Sequence, residues 1–190
     1  RNKDAKYILV EPIIDTLNEK AKKVLLIGNP NVGKSTIFNA LTGMKQHTGN
    51  WTGKTVETAI GHCKTSLFEY TILDLPGTYS LLTHSKEEEV ARDFICFAKA
   101  EKTVIVCDAT CLERNLNLCL QIIEMTDNAL VCVNLIDEAE RKGIEIDFKK
   151  LSVELGVEVV NVVARQKKSA KSLLELLDTP VNQKKVRISY

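Results

Sequence analysis

The sequence has no C-x-x-C pair, no internal repeat and no low-complexity tract. Without a C-x-x-C pair, zinc ribbons and thioredoxin-type redox centres have no anchor. No apolar run approaches the ~20 residues of a membrane span. No hydrophobic stretch follows Arg1-Asn2-Lys3-Asp4 as a secretory signal requires. Charge of one sign is also lacking: the formal net charge is +1, which argues against a nucleic-acid surface spread over the whole domain. The first residue is Arg1, not Met, which predicts a piece of a longer chain.

Six cysteines are present: Cys63, Cys96, Cys107, Cys111, Cys119 and Cys132. Most sit in apolar segments and read as reduced, buried thiols. An iron or zinc site built from Cys107, Cys111 and Cys119 is the alternative, but their spacing is unlike a metal loop. His47, His62 and His84 are scattered and read as surface residues. With 190 residues, 44% hydrophobic and 27% charged, the chain suits one soluble globular domain with a sizeable core.

One stretch stands out. Gly28-Asn29-Pro30-Asn31-Val32-Gly33-Lys34-Ser35 follows the apolar run Lys23–Ile27 and precedes Thr36–Thr42, whose Ile37, Phe38 and Leu41 share a helical face. Strand, glycine turn and helix is the setting of a G-x-x-x-x-G-K-[ST] phosphate loop. The glycines let successive N–H groups turn inward on phosphate oxygens, and the helix start adds its positive end. Lys34 supplies a point charge for the β- and γ-phosphates, and Ser35 a hard oxygen for Mg²⁺. Asn29, Asn31, Val32, Gly33, Lys34, Ser35 and Thr36 are the candidate phosphate-loop contacts.

The rest of the chain alternates strand and helix. Residues 44–55, rich in Gly, Thr and Asn, read as a long loop holding Trp51. Val56–Cys63 and Ser66–Leu73 read as a hairpin, hence one antiparallel edge strand. Ser85 is placed to cap a helix from Lys86 to Ala100, with Glu87, Glu88 and Glu89 as its solvated first turn. Thr103–Asp108 is a buried strand. Leu112–Met125 is a helix with Leu116, Leu120 and Ile123 on one stripe. Asn128–Val133 is the next strand, Leu151–Leu155 closes a helix stopped at Gly156, and Val157–Val163 is the last strand. A helix from about Ser169 to Leu177 follows. This pattern predicts an α/β fold: a mostly parallel, doubly wound sheet with helices on both faces and its ligand at the strand C-termini.

Two further stations fall at strand ends. Asp74-Leu75-Pro76-Gly77 would let Asp74 hold Mg²⁺ through a water and bring the Gly77 N–H to a γ-phosphate. Asn134-Leu135-Ile136-Asp137 ends another strand. A carboxylate there accepts both hydrogen bonds from the N1–H and N2–H₂ edge of guanine, which adenine does not offer. Asn134 is placed to tie the base-binding loops together. Backbone N–H groups at the end of the last strand, at Val163, Ala164 and Arg165, would reach a nucleobase oxygen.

Together with Thr55, these stations look like a P-loop GTPase G domain, of the translation-factor class and its TrmE–Era–septin branch. More narrowly, the sequence resembles the G domain of the bacterial ferrous iron transport protein B family. The resemblance rests on Gly28-Asn29-Pro30-Asn31, on Gly49-Asn50-Trp51 with Gly53 and Thr55-Val56-Glu57, on Asp74-Leu75-Pro76-Gly77-Thr78-Tyr79-Ser80, on Asp108-Ala109 with Leu112-Glu113-Arg114-Asn115-Leu116, and on Asn134-Leu135-Ile136-Asp137-Glu138-Ala139; its specific part is the Gly49-Asn50-Trp51 and Leu75-Pro76-Gly77-Thr78-Tyr79-Ser80 runs.

The resemblance covers about residues 23–178. Residues 1–22 depart from it, since the family begins almost at the first strand, and read as an extension that packs on the domain or belongs to an upstream module; 179–190 read as the start of a further, helical region. The resemblance implies that residues 44–55 are switch I and the stretch after Gly77 switch II. Ser35 and Thr55 would hold Mg²⁺, and Asn31 a K⁺ ion. Asn31, Lys34, Thr55 and Gly77 would serve hydrolysis, while Ala164 would touch the base through its backbone. Leu135 stands where many GTPases carry a Lys, and Thr78 where others carry a catalytic Gln, which implies slow intrinsic turnover. Implied partners are GTP or GDP and the rest of an iron transporter at the cytoplasmic face of the inner membrane. A homo-oligomer is allowed and no nucleic acid is expected. Two alternatives stay open: an Era-like GTPase acting on ribosomes or tRNA, and a nucleotide-dependent interaction switch with incidental hydrolysis.

Overall fold

The computed structural model describes residues 13–14, 17, 20–43, 46–49, 58–82, 85–163 and 167–181. Their strands are β1 (Lys22–Gly28), β2 (Gln46–Gly49), β3 (Thr58–Lys64), β4 (Glu69–Asp74), β5 (Lys102–Asp108), β6 (Ala129–Asn134) and β7 (Glu158–Asn161). Their helices are α1 (Lys34–Thr42), α2 (Lys86–Phe97), α3 (Leu112–Met125), α4 (Ile136–Arg141), α5 (Phe148–Leu155) and α6 (Lys167–Asp178).

The sheet order is β2-β3-β4-β1-β5-β6-β7. β1 lies between β4 and β5, parallel to both, with Val24 opposite Ile72 and Leu26 opposite Val104. β5, β6 and β7 continue the parallel part. β3 runs antiparallel to β4, as the hairpin pattern predicts, and β2 pairs outside it to form the edge. The order reverses at β1, so the crevice above its C-terminal end is the switch point where such sheets bind ligands.

Alternation along each strand sends side chains to two separate cores. Val24 and Leu26 of β1 pack with Ile37, Phe38 and Leu41 of α1 and Leu173 and Leu177 of α6. Leu25 and Ile27 face the other way, onto Phe94 of α2, Leu118 and Ile122 of α3 and Leu155 of α5. Both faces are covered, which is why the parallel strands read as unbroken apolar runs. Ile13 and Leu17, ahead of β1, are buried in the second core.

Several local expectations need correction. β2 lies inside the stretch read as a loop: its Gln-His-Thr-Gly sequence carries no apolar alternation, and ladder bonds to β3 alone define it. β4 begins at Glu69 rather than Ser66, because Thr65 Oγ1 accepts from the N–H groups of Leu67 and Phe68 and holds them in a turn. Ser85 does cap α2, accepting from the Glu88 N–H at 3.2 Å, but Glu88 itself is buried, not solvated. α2 stops at Phe97, before Lys99 enters the left-handed region (φ 49°). The buried stripe of α3 is Asn115, Leu118, Cys119 and Ile122, and Leu120 is exposed. β7 is only four residues long, since Val162 already leaves the ladder after donating to the Val133 carbonyl at 2.8 Å.

Of the cysteines, Cys107, Cys119 and Cys132 are buried, Cys63 and Cys111 half-buried, and Cys96 exposed. Among the described residues, no group of His, Cys, Asp and Glu is arranged to hold a metal ion.

Candidate phosphate and base site

The Gly28–Ser35 loop leaves the C-terminal end of β1 and enters α1. Two of its residues are left-handed, Asn31 (φ 64°) and Gly33 (φ 83°). Gly28 has a different reason: a Cβ there would sit 2.5 Å from the Val106 carbonyl of β5. At Gly33 a Cβ would sit 2.2 Å from Nδ2 of Asn134. That missing methyl lets Asn134 reach past the loop and donate from Nδ2 to the Val32 carbonyl at 3.2 Å. No side chain caps the start of α1, so its first N–H groups remain open for an anion.

The loop borders a cavity of about 500 Å³ lined by Asn29, Pro30, Asn31, Gly33, Lys34, Ser35 and Gly77. The Lys34 ammonium pairs with the Asp74 carboxylate, which reaches the same place from the end of β4. Burial pushes the Asp74 carboxyl above its ordinary range, and Lys34 offsets only part of that. Gly77 lies against the loop, where a Cβ would be 3.1 Å from Cα of Pro30. The Thr78 N–H donates to the Gly28 carbonyl at 3.2 Å, fixing the start of the following segment. Thr78 Oγ1 donates to the Ser80 carbonyl at 2.7 Å, so its hydroxyl is committed within the segment. Asn29 is buried, and its side-chain amide has no hydrogen-bond partner among the described residues.

A second cavity, of about 360 Å³, is lined by Asn31, Gly33, Thr36, Asp108, Asn134, Leu135, Asp137, Glu138 and Val163. Asn31 and Gly33 belong to both cavities. Leu135 (φ 61°) turns the chain sharply after β6, which puts Asp137 in the first turn of α4. The exposed Arg141 guanidinium approaches the Asp137 carboxylate at 3.4 Å from one turn on, so that carboxylate is only loosely held. Asp108, at the end of β5, was given no role by sequence reasoning. Its Oδ1 accepts from the N–H and the hydroxyl of Thr110, each at 2.7 Å. Its own N–H donates to Asn115 Oδ1 at 3.1 Å, which explains a buried Asn on α3. Its signals in the sequence are an acid ending an apolar strand and the place of Asp108-Ala109 in the family resemblance.

Asn29, Asn31, Val32, Gly33, Lys34, Ser35, Thr36, Asp74, Gly77, Asn134, Asp137 and Val163 therefore cluster at the C-terminal end of the sheet. Thr55, Ala164 and Arg165 lie outside the described residues. A larger cavity, of about 760 Å³, is elsewhere, at the other end of the strands between Leu41, His62 and Tyr70. It contains none of the motif residues, so size does not mark the site.

Known proteins resemble this chain in sequence and fold. The family model described as ferrous iron transport protein B matches residues 22–177. The Fe(2+) transporter FeoB of Salmonella typhimurium is 43% identical over 157 residues, 80% of this chain. The chain spans only 20% of that relative's length. Among solved structures, the FeoB G-domain from Methanococcus jannaschii is 43% identical, with a TM-score of 0.71, covering 83% of this chain and 96% of that one. The cytosolic domain of the T. maritima FeoB iron transporter in a GDP form is 34% identical, with a TM-score of 0.79, covering 90% of this chain and 68% of that one. The family match over residues 22–177 and the sheet shared with these G domains show that this chain belongs to the ferrous iron transport protein B family and is its G domain.

Proposed function

We propose that this G domain binds GTP and hydrolyses it to GDP and phosphate. One observation carries the proposal: the phosphate cavity with Lys34 and the base cavity with Asp137 share Asn31 and Gly33, and Asn134 fastens the two together. A guanine nucleotide has a phosphate end and a base edge suited to those two cavities.

Lys34 and the N–H groups opening α1 would hold the β- and γ-phosphates, with the Gly77 N–H on the γ-phosphate. Asp137 would accept from the guanine edge, with Val163, Ala164 and Arg165 offering backbone groups beside it. The Ser35 hydroxyl lines the phosphate cavity and the Asp74 carboxylate pairs with Lys34 beside it, so these hard oxygen donors would suit Mg²⁺, Asp74 through a water, and Thr55 would supply a further oxygen. Asn31 stands between the cavities with an exposed amide, which fits a K⁺ ion. Such cations, when bound, neutralise charge that develops on the phosphates. In the reaction a water oxygen attacks the γ-phosphorus in line. The bond from γ-phosphorus to the bridging oxygen breaks, its electron pair leaves with GDP, and the water protons pass to the phosphate products. The Thr78 hydroxyl, where other GTPases carry a catalytic Gln, is committed to the Ser80 carbonyl, which supports slow intrinsic turnover.

By its relatives' names, the domain belongs to a Fe²⁺ transporter, so we infer that the nucleotide cycle regulates iron passage through a membrane part of a longer protein. No helix among the described residues is long and apolar enough to cross a membrane. We take residues 23–178 as the G domain on the cytoplasmic face, 1–22 as an extension and 179–190 as the start of a helical region. Calorimetric titration with GDP, GTP and ADP tests the reading, paired with phosphate release from GTP. Guanine nucleotides bind and ADP does not. Equal binding of ADP, or no phosphate release, overturns it.

A further inference from the structure

We propose that Gln121 of α3 and Arg92 of α2 are positioning residues for Gly77. They grip the backbone of Leu81 and thereby set where the Gly77 N–H stands at the phosphate cavity. The inference rests on reading that cavity as a GTP site.

Gln121 Oε1 accepts the Leu81 N–H at 2.7 Å and the Ser80 hydroxyl at 3.3 Å. A backbone N–H only donates, so the Gln121 amide must present its oxygen there. From the other side, Arg92 Nη1 donates to the Leu81 carbonyl at 3.0 Å. One residue is thus held through both of its backbone groups by two helices. Its side chain is sunk in the core shared by those helices, 2% exposed.

The same segment is fixed at its start by the Thr78 bond to Gly28 and by the contact of Gly77 with Pro30. Only Tyr79 and Ser80 separate Thr78 from Leu81. The guanidinium of Arg114 lies over the Tyr79 ring, 5.5 Å from its centroid, and Thr78 Oγ1 braces the Ser80 carbonyl. So short and braced a span leaves Gly77 little freedom once Leu81 is clamped. A γ-phosphate held at Gly77 then shares one rigid strap with α2 and α3. GDP has no γ-phosphate and makes no use of that strap.

The consequence separates GTP from GDP. In the full chain, Gln121→Ala weakens binding of a non-hydrolysable GTP analogue by about tenfold, slows phosphate release and leaves GDP affinity unchanged. Arg92→Ala does the same. Gln121→Glu retains near wild-type analogue binding, because both bonds use residue 121 as acceptor and a carboxylate oxygen accepts them equally. The inference is overturned if analogue and GDP weaken together in both Ala variants, if their affinity ratio does not move, or if the Glu variant is as defective as Gln121→Ala. A wild-type chain that binds neither nucleotide is a different failure: it removes the GTP reading itself, and this inference with it.

Discussion

Nδ2 of Asn134 donates to the backbone carbonyl of Val32 at 3.2 Å, through the gap left by the missing side chain of Gly33. One amide joins the strand end that carries Asp137 to the loop that carries Lys34. Losing that buried bond costs about 1 kcal/mol, and leaving the Val32 carbonyl unpaired adds to it. Asn134→Ala therefore weakens GDP binding by at least roughly fivefold. Gly33→Ala does more, because its Cβ would collide with Asn134 and its φ of 83° is costly for any residue with a Cβ. Calorimetry on both variants checks the order. Equal affinity in wild type and Asn134→Ala would remove the tie from the account.

On the proposed function, Asp137 selects the base. In Asp137→Asn one carboxylate acceptor becomes an amide donor, which leaves the guanine amino group unpaired. GDP affinity falls by about 30-fold or more. Xanthine carries a carbonyl where guanine carries that amino group, so xanthosine diphosphate gains affinity in the same variant. Competition between the two nucleotides reads the switch; a variant that still prefers GDP refutes the assignment.

Asn29 should separate stability from binding. Its amide is buried without a partner among the described residues, at a cost of about 1–3 kcal/mol for an unsatisfied buried group. Asn29→Ala is then at least as stable as wild type without nucleotide, and weaker in binding it. Thermal melts with and without GDP give the two signs, and a less stable apo variant contradicts the prediction.

The proposed K⁺ role of Asn31 is open to test. The left-handed backbone at this position (φ 64°) favours glycine, so Asn31→Gly deletes the amide without adding strain. Single-turnover hydrolysis in K⁺ exceeds that in Na⁺ for wild type, and the difference disappears in the Gly variant. Persistence of the K⁺ effect in Asn31→Gly would free Asn31 of that role.

The buried thiols set an alkaline limit. Full burial in β6 pushes the Cys132 thiol from 9.0 up to about 12. Between those values the folded state holds a proton that the unfolded state has lost. Stability from this group is therefore complete below pH 9 and falls above it, by about 1.4 kcal/mol per pH unit until the folded thiol itself ionises. Cys132→Val flattens that part of a stability-against-pH curve measured by urea unfolding. An unchanged slope would place the alkaline loss elsewhere.

Much of the fold was legible because parallel strands covered on both faces spell themselves as apolar runs: Val24–Ile27, Val104–Cys107 and Leu130–Val133 are all buried. Cap chemistry was legible too, at Ser85 and at Gly156 with its φ of 67°. β2 was not, because an edge strand held by backbone bonds needs no hydrophobic pattern. The stripe on α3 was misread through Leu120, which is exposed, and Asn115, which is buried to hold Asp108. A buried polar residue that serves a distant backbone group looks like a surface residue in the sequence.

The chemistry is written in the chain itself. Lys34, Ser35, Asp74, Gly77, Asn134 and Asp137 stand in short motifs because strand–loop–helix geometry is local, and local geometry is encoded by adjacent residues. What those motifs do to one another was settled only by the folded arrangement. The approach of Asn134 to Val32, the pairing of Lys34 with Asp74, the fit of Gly77 against Pro30 and the grip of Gln121 and Arg92 on Leu81 all join residues far apart in the chain. Such contacts depend on strand order and on which face each helix covers, and no spacing between neighbours encodes either.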